Sequence, residues 1–269
     1  MKIGVIGIGI VGGAMQRSLI NKCYDSDIVI VSYDKFKHIG SFDDVIDADI
    51  IFLCLPTLYD YELSSYDKSA IHEISSQLSK INYKGLVVIK STVEPTTSQQ
   101  IADIYNLAVA HNPEFLTAKT AYEDFHEQKH VVIGFTNKVQ NEHVNNLVNF
   151  YKTSYPDAEI SLCTSTESEA IKIFCNNFYS VKIQFFNELY LLCQKLNINY
   201  DLIKDTMLKN GWINPMHTIV PGTDGKLGYG GMCFPKDTNA LLSFMKLVGS
   251  PHGILEATVK ERNSLRNDC

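Results

Sequence analysis

Short apolar runs alternate with amphipathic segments along the chain as far as Ser161. Apolar runs of this length predict strands, which we expect at Lys2–Gly7, Ile28–Tyr33, Asp49–Leu55, Leu86–Ser91, Leu107–Ala110 and Val131–Phe135. Helical spacing predicts intervening helices at Val11–Lys22, Lys68–Leu78, Thr97–Ile104 and Val139–Tyr151. Because right-handed crossovers place such helices on both faces of a sheet, this rhythm predicts an α/β fold with a doubly wound parallel sheet.

The pattern changes after Ser161, where the apolar positions take up helical spacing. Thr164-Ser165-Thr166-Glu167 is a capping-box sequence and predicts the start of a long helix that ends at about Lys195. Further helices are expected at Asp201–Leu208, Asp237–Val248 and Ile254–Leu265, and a structured loop at Gly222–Pro235. The sequence therefore predicts a doubly wound domain over residues 1–163 and an all-helical domain with a long central helix over 164–269.

Composition and charge narrow the functional classes. The chain has 269 residues, of which 45% are apolar and 20% charged, and a net charge of −6. Without a basic stripe it offers no electrostatic footprint for nucleic acid or an anionic membrane surface. No apolar run reaches transmembrane length and no signal-peptide pattern follows Met1, so we expect a soluble, cytoplasmic protein.

A glycine-rich turn follows the first predicted strand. Gly7, Gly9 and Gly12 form a G-x-G-x-x-G motif that includes Ile10 and Val11 and opens the first helix. In this position the glycines permit a tight turn and let backbone amides approach a pyrophosphate, which is typical of a Rossmann-like dinucleotide site.

Asp34 supplies the second half of this motif at the end of the second strand, about 20 residues further on. Its carboxylate can accept hydrogen bonds from the adenosine ribose and would repel a 2′-phosphate, so we expect NAD as the cofactor. The glycines could instead only build a tight turn, with Asp34 as a solvated acid. Lys35 and Lys37 could also offset part of the repulsion of a phosphate and weaken the exclusion of NADP.

Lys172 and Asn176 stand one helical turn apart on the long predicted helix. A lysine ammonium can stabilise negative charge on an alcohol oxygen, and an asparagine amide can orient that oxygen without titrating. The same spacing also occurs by chance as a solvated lysine beside a surface amide.

Cysteine usage directs attention to Cys233. Seven cysteines form an odd set without a C-x-x-C pair, which indicates neither a disulfide framework nor a zinc site, so we expect no metal. Cys233 alone lies between a glycine-rich turn and a predicted helix start, and Lys236 follows it in the sequence. Both the helix start and the lysine favour the thiolate. A structural cysteine beside a Gly-Gly turn is the alternative.

Taken in order, these residues resemble the UDP-glucose/GDP-mannose dehydrogenase family over nearly the whole chain. The motifs that carry the resemblance are Gly7–Gly12, Ala48-Asp49 with Pro56-Thr57, Lys90-Ser91-Thr92-Val93, Asn112-Pro113-Glu114-Phe115-Leu116, Lys172 with Asn176, Asn187-Glu188 and Gly230–Asp237. Members of this family oxidise the primary alcohol of a nucleotide sugar to a carboxylate with two NAD, and the resemblance implies a reaction of the UDP-glucose to UDP-glucuronate type.

The resemblance also implies roles for individual residues. Cys233 would capture the aldehyde as a thiohemiacetal, which is oxidised to a thioester and hydrolysed. Lys172 and Asn176 would stabilise oxyanions, Thr92 and Asp237 would position the water, and Glu114 would act as the base. Cofactor contacts are further implied for Pro56, Thr57, Thr92 and Lys236, and substrate contacts for Phe115, Leu116, Tyr229, Gly230 and Gly231.

Several departures from the family pattern are visible. Thr117-Ala118-Lys119 stands where a second carboxylate is usual, and Glu94-Pro95-Thr96-Thr97 lacks the usual glycine. The segment between Asp34 and Asp49 is shorter than usual, so one sheet element is expected to be reduced. Close to the end of the sequence, Glu261-Arg262-Asn263-Ser264-Leu265-Arg266 resembles the end of the family's central helical domain, which precedes the family's C-terminal sugar-nucleotide domain.

Two other functions remain open at this stage. A β-hydroxyacid dehydrogenase-like protein would share the dinucleotide fold, the helical domain and the Lys-x-x-x-Asn pair, but its single oxidation needs no cysteine. A catalytically inactive NAD-binding subunit of a partner enzyme is a third possibility.

The helix from Glu167 to Lys195 is apolar on more than one face, which favours a homodimer through the helical domain.

Overall fold

The computed structural model describes residues 1–24, 27–266 and 268. These residues form two compact units. The first contains Met1–Leu58 and Asp67–Lys172, and the second contains Tyr59–Tyr66 and Ile173–Cys269. A short segment, Tyr59–Tyr66, thus belongs to the second unit, although the chain on both sides of it belongs to the first.

The first unit is built on a seven-stranded sheet. Its strands are β1 (Lys2–Ile6), β2 (Val29–Tyr33), β3 (Ile50–Leu53), β6 (Leu86–Ile89), β7 (Ala108–His111), β8 (His130–Phe135) and β9 (Glu159–Thr164); the strands β4 (Tyr59–Asp60) and β5 (Ser65–Tyr66) form a separate antiparallel hairpin in the second unit. The order across the sheet is β2-β1-β3-β6-β7-β8-β9. Between β2 and β3 the regular structure is a short 3-10 helix, Phe42–Asp44.

Helices occupy the remaining segments of regular structure. They are α1 (Ile10–Lys22), α2 (Ser69–Lys80), α3 (Thr97–Tyr105), α4 (Ala121–His126), α5 (Asn141–Ser154), α6 (Ser165–Leu196), α7 (Tyr200–Leu208), α8 (Phe234–Leu247) and α9 (Gly253–Leu265). The predicted capping box forms at the start of α6, where Thr164 Oγ1 accepts from the amide of Glu167 and the Glu167 carboxylate accepts from the amide of Thr164. Within the described residues, no helix combines the length and apolar content needed to cross a bilayer.

The predicted α/β fold with a doubly wound parallel sheet is confirmed, and one pair of strands is an exception to the parallel arrangement. Strands β7 and β8 are antiparallel, with Ala110 opposite Phe135 and His111 opposite Gly134. The connection between them carries a 3-10 helix, Ala118–Thr120, and the short helix α4, and the chain returns in the opposite direction along the neighbouring strand. Strand β9, helix α4 and the hairpin β4–β5 were not predicted, because they are short or alternate too weakly to carry a periodic signal.

Two apolar layers cover the sheet of the first unit. One includes Met15 and Leu19 of α1 and Phe150 of α5, and the other includes Ile71 of α2 and Ile101 of α3. Strand residues alternate between these two layers, as a doubly wound sheet requires. The second unit has smaller cores, one of which packs the hairpin residue Tyr66 against α6, α8 and α9.

Candidate active site

The turn between β1 and α1 has the geometry of a dinucleotide site. Gly7 has a φ of 89°, and a Cβ on Gly12 would lie 1.9 Å from the carbonyl oxygen of Gly7, so both positions require glycine. A Cβ on Gly9 would meet nothing within 4 Å, so this glycine borders open space. Ile10 and Val11 form the first turn of α1. The amides and the dipole of this helix start are suited to a pyrophosphate.

Asp34 lies directly after β2 and is held against the glycine-rich turn. Its carboxylate accepts from the amides of Ile8 at 2.7 Å, Phe36 at 3.0 Å and Lys37 at 2.9 Å. Partial burial opposes ionisation, but these hydrogen bonds and the Lys37 ammonium together lower the pKa of Asp34. An ionised carboxylate beside the turn suits the ribose of NAD, so the residues present fit this cofactor.

The loops that follow β3 and β6 are joined by side-chain hydrogen bonds. Thr57 is buried and its Oγ1 donates to the carbonyl of Thr92 at 2.8 Å, whereas Pro56 beside it is exposed. Ser91 Oγ accepts from the amide of Leu55 at 2.9 Å and donates to its carbonyl at 2.6 Å. These bonds fix the carboxyl ends of two neighbouring parallel strands, the edge at which doubly wound sheets bind ligands.

Lys172 and Glu114 form a nearly buried ion pair in the first unit. Lys172 Nζ lies 3.2 Å from Glu114 Oε1, and their side chains are 6% and 12% exposed. Glu114 also accepts from the amide of Leu116 at 2.5 Å, and the lysine ammonium lies 5.3 Å from the ring centroid of Phe115. A cation held beside a carboxylate in this way can stabilise an oxyanion while the carboxylate exchanges a proton.

Lys90 is a buried cation. In the sequence it is notable only as the first residue of the Lys90-Ser91-Thr92-Val93 motif. Its ammonium donates to Asn112 Oδ1 at 2.8 Å, and Tyr151 donates to the same oxygen. Burial lowers the pKa of Lys90 to about 8. Because Asn112 immediately precedes Pro113 and Glu114, this network fixes the backbone from which Glu114 projects.

A second set of polar side chains surrounds Asp237, which has no exposed surface. Its Oδ2 accepts from Asn176 Nδ2 at 2.6 Å, and its Oδ1 accepts from Lys236 Nζ at 2.6 Å and from the Tyr66 hydroxyl at 2.5 Å. We refer to Asp237, Asn176, Lys236 and Tyr66 as the Asp237 cluster. Sequence reasoning missed Tyr66, since nothing in its local pattern marks a buried polar contact.

Cys233 is exposed and stands at the N-cap of α8, as the sequence predicted for a thiol between a turn and a helix start. Its carbonyl accepts the first hydrogen bond of the helix, from the amide of Asp237 at 3.0 Å. Pro235 in the first turn supports the helix start, because its fixed φ suits this position. An exposed thiol at a helix N-terminus is in the environment that favours the thiolate.

The glycine-rich loop before Cys233 is anchored by arginines of α9 and its C-cap. Arg262 Nε donates to the carbonyl of Tyr229 at 3.1 Å, and Arg266 Nη1 donates to the carbonyl of Gly228 at 3.2 Å. A Cβ on Gly230 would lie 2.3 Å from the Arg266 guanidinium, so a side chain there would have to displace this anchor.

The residues predicted to contact the substrate in this loop differ in their accessibility. The Tyr229 side chain is buried and donates to Thr238 Oγ1 at 3.2 Å, so only its backbone is available to a ligand. Gly231, by contrast, has a φ of 77° and open space around it. Asn187 Oδ1 also holds the loop by accepting from the amide of Gly228 at 2.9 Å.

The structure pairs the predicted catalytic residues within each unit. Lys172 pairs with Glu114 in the first unit, and Asn176 pairs with Asp237 in the second. The joint role assigned to Lys172 and Asn176 stays a prediction. In the described part of the chain, no three His, Cys, Asp or Glu side chains are grouped so as to hold a metal ion.

Comparison with known proteins gives matches to both units. Residues 39–153 match the NAD binding domain of the UDP-glucose/GDP-mannose dehydrogenase family, and residues 166–264 match its central domain. The resemblance read from the motifs is thereby confirmed, and so is NAD as the predicted cofactor. The matched range for the NAD-binding domain begins after the glycine-rich turn and Asp34, whose geometry supports NAD independently.

Individual relatives carry the same family name. The chain is 28% identical to a UDP-glucose 6-dehydrogenase of Campylobacter jejuni, over 99% of the chain and 72% of the relative. It is 34% identical to a UDP-glucose 6-dehydrogenase of Rickettsia bellii over 76% of the chain. That match covers 46% of the Rickettsia protein, so the chain aligns with about half the length of this relative.

Solved structures share the fold over both units. A UDP-glucose dehydrogenase of Pyrobaculum islandicum superposes with a TM-score of 0.83 at 24% identity, covering 98% of this chain and 68% of that one. A 3-hydroxyisobutyrate dehydrogenase of Mycobacterium tuberculosis superposes with a TM-score of 0.75 at 15% identity, covering 99% of this chain and 94% of that one. At these identities the superpositions establish the fold alone.

Proposed function

The chain belongs to the UDP-glucose/GDP-mannose dehydrogenase family, and from this premise we propose that it is an NAD-dependent nucleotide-sugar 6-dehydrogenase. Its substrate class would be a UDP-glucose-like nucleotide sugar, oxidised from a primary alcohol to a carboxylate. The observation that carries this proposal is the exposed Cys233 at the start of α8, four residues before the buried Asp237.

The proposed reaction requires a thiol because the oxidation proceeds in two stages. NAD, when bound, accepts a hydride at each stage. The Cys233 thiolate adds to the carbonyl carbon of the aldehyde, which keeps the reactive product on the protein as a thiohemiacetal. The second oxidation leaves a thioester, and water releases the carboxylate and the thiol.

The remaining residues contribute charge and orientation. We propose that Lys172 and Asn176 stabilise the oxyanions, that Glu114 takes a proton from the hydrolytic water, and that Thr92 and Asp237 orient that water. The Lys172–Glu114 pair supports this assignment, because a carboxylate can take up a proton from water and pass it on while the ammonium 3.2 Å away remains in place. Gly9 and Asp34 would hold the cofactor.

The test is incubation with NAD and a panel of nucleotide sugars, with NADH followed by absorbance and the Cys233 peptide by mass. We expect two NADH per sugar and a thioester adduct on Cys233. Cys233→Ser should stall after aldehyde formation or abolish the second oxidation. An unmodified Cys233 and one NADH per molecule of substrate would contradict the proposal.

A second candidate is the single-step oxidation of a β-hydroxyacid. The similarity in fold to the M. tuberculosis 3-hydroxyisobutyrate dehydrogenase, of which the chain covers 94%, favours testing it. Cys233→Ser would leave this activity largely intact. If the protein binds NAD in calorimetry but reduces it with neither substrate class, an inactive subunit of a partner enzyme becomes the better description.

We also propose that the chain forms a homodimer through α6. Large apolar side chains stand exposed along this helix at Phe174, Phe178, Phe185 and Leu192. Residues at these spacings form a stripe that a second copy would cover. Light scattering should give twice the monomer mass, and Phe178→Asp should return it to that of the monomer.

A further inference from the structure

The hairpin β4–β5 presents two tyrosines to helix α8 within the second unit. The Tyr59 hydroxyl lies 2.8 Å from Ser243 Oγ, and the Tyr66 hydroxyl donates to Asp237 Oδ1 at 2.5 Å. Tyr66 is 1% exposed, so its hydroxyl needs a partner inside the protein. The two tyrosines therefore share one hairpin and one target helix but differ in the residue that they contact.

The bond to Tyr66 decides which oxygen of Asp237 is available. Oδ1 receives Tyr66 and Lys236, whereas Oδ2 receives Asn176. A carboxylate offers about four acceptor positions. Among the described residues these donors leave Oδ2 as the oxygen with room for one more. The carboxylate cannot rotate without breaking bonds to three different segments of the chain.

Tyr66 also contacts Lys236, the other donor to Asp237 Oδ1. Its ammonium lies 4.7 Å from the centroid of the Tyr66 ring and 2.6 Å from Asp237 Oδ1. The side chain of Lys236 is 18% exposed, so an anionic ligand can draw it outward. In that event Oδ1 would still hold its hydrogen bond from the Tyr66 hydroxyl, and Asp237 would keep its orientation.

We propose that Tyr66 is a positioning residue for Asp237 in the hydrolysis of the Cys233 thioester. This inference rests on the proposed function. In that step the water oxygen bonds to the carbonyl carbon and the carbon–sulfur bond breaks. Sulfur leaves with the bonding electron pair and regains its proton as the Cys233 thiol, while the second proton of the water passes through the base to solvent. Tyr66 holds Oδ1 so that Oδ2 can accept a hydrogen bond from the attacking water.

The test compares Tyr66→Phe with the matched variant Tyr59→Phe in the full chain. Removing a hydrogen bond to a charged group predicts a roughly 10- to 100-fold slower steady-state NADH formation in Tyr66→Phe. The KM for the nucleotide sugar should change less than about threefold, because substrate binding is untouched. The initial burst of NADH should persist and the thioester on Cys233 should accumulate. Tyr59→Phe should stay within about twofold of the wild type in every readout, since its hydroxyl contacts Ser243 and not the Asp237 carboxylate.

A measurement without substrate or NAD checks the bond itself. The proton that the buried Tyr66 hydroxyl donates to Asp237 is shielded from solvent and should give a low-field proton NMR resonance that is present in the wild type and in Tyr59→Phe. It should be absent from Tyr66→Phe and from Asp237→Asn. Persistence of the resonance in Tyr66→Phe would overturn the assignment.

The two proposals can fail separately. A wild-type protein that forms no NADH from any nucleotide sugar would overturn the proposed function. A wild-type protein that turns over, with Tyr66→Phe indistinguishable from Tyr59→Phe or slowed without thioester accumulation, would overturn only the role of Tyr66.

Discussion

The glycine-rich turn of the first unit and the Asp237 cluster of the second are assembled over different distances along the chain. Gly12 packs against the carbonyl of Gly7, five residues earlier, so steric limits on neighbouring backbone fix the turn. Besides the adjacent Lys236, the Asp237 carboxylate accepts hydrogen bonds from Tyr66, 171 residues away, and from Asn176, 61 residues away. The turn is therefore visible in the sequence as a motif, whereas the cluster exists only in the folded chain.

The largest expected effect tests whether local backbone geometry really controls the turn. In Gly12→Ala the new Cβ would meet the Gly7 carbonyl oxygen at 1.9 Å, which the backbone can relieve only by shifting. We expect the free energy of unfolding to fall by about 3 kcal/mol or more, at the upper end of overpacking effects. Urea denaturation measures this loss, and calorimetry should show no NAD binding.

Gly9→Ala is the matched control, since its Cβ would meet no protein atom within 4 Å. The free energy of unfolding should stay within about 0.5 kcal/mol of the wild type. NAD affinity should nevertheless fall, because the methyl group would occupy the space through which a pyrophosphate reaches the amides. Equal stability losses in Gly9→Ala and Gly12→Ala would contradict the steric explanation of the turn.

The next effect concerns the loop anchor of the second unit. Arg266 hydrogen-bonds the carbonyl of Gly228 and two nitrogens of its buried guanidinium pair with Asp268. Arg266→Leu should lower the free energy of unfolding by about 2 kcal/mol, since it removes the donor to the loop carbonyls of Leu227 and Gly228 and one of the cations that pair with Asp268. The alkylation rate of Cys233 should change with it, because the loop leads directly to this thiol.

The control for the anchor is an ion pair in the same unit that touches no loop. Lys246 and Glu256 form such a pair between α8 and α9. Both side chains are about half exposed, so Lys246→Leu should cost less than about 1 kcal/mol and leave alkylation unchanged. A comparable loss in the two variants would mean that Arg266 is only another surface charge.

Most of the sheet and both functional motifs could be predicted from the sequence, because each depends on a short segment. The strand β1 and the glycine-rich turn follow from local periodicity and from glycine positions. A helix start near Cys233 was also predicted, but at Asp237, three residues later than the observed start of α8 at Phe234. The antiparallel β8, the hairpin that carries Tyr66 and the anchoring role of Arg266 depend on where distant segments meet. A buried tyrosine or arginine looks the same in sequence as an exposed one, so no local pattern could identify them.

Glu169 tests whether the first unit also depends on contacts between residues that are far apart in the sequence. This carboxylate has no exposed surface and caps α3 from α6, accepting from the amides of Thr96 at 2.7 Å and Ser98 at 2.6 Å. Burial, together with the nearby Glu94, raises the pKa of Glu169 to about 7 despite these hydrogen bonds. The folded state then binds a proton that the unfolded state releases at its ordinary value of 4.5.

The contribution of Glu169 to the free energy of unfolding should therefore be fully present below pH 4.5, decline as pH rises towards 7 and level off above it. Between pH 5 and 7 we expect a loss of roughly 1–2 kcal/mol, measured as the free energy of unfolding, that Glu169→Gln abolishes. Glu167→Gln is the control on the same helix. Its carboxylate is exposed and hydrogen bonds to the amide and hydroxyl of Thr164 lower its pKa, so the decline should remain. A pH dependence that survives in Glu169→Gln would assign the titration to another group.

The smallest effect concerns Thr96 in the first unit, where the backbone conformation does not suit the residue type. Thr96 stands at the N-cap of α3 with a φ of 84°, in the left-handed region that a β-branched side chain disfavours and glycine accepts. Thr96→Gly removes this strain but gives the unfolded chain more freedom, so a net gain of about 0.5–1 kcal/mol in the free energy of unfolding is expected. Asn106, at the other end of α3, has a φ of 52°. Because asparagine tolerates this conformation, Asn106→Gly should give a smaller gain or none. A stability in Thr96→Gly equal to or below that of the wild type would show that the contacts of Thr96, such as the hydrogen bond from Gln100 to its hydroxyl, outweigh the strain.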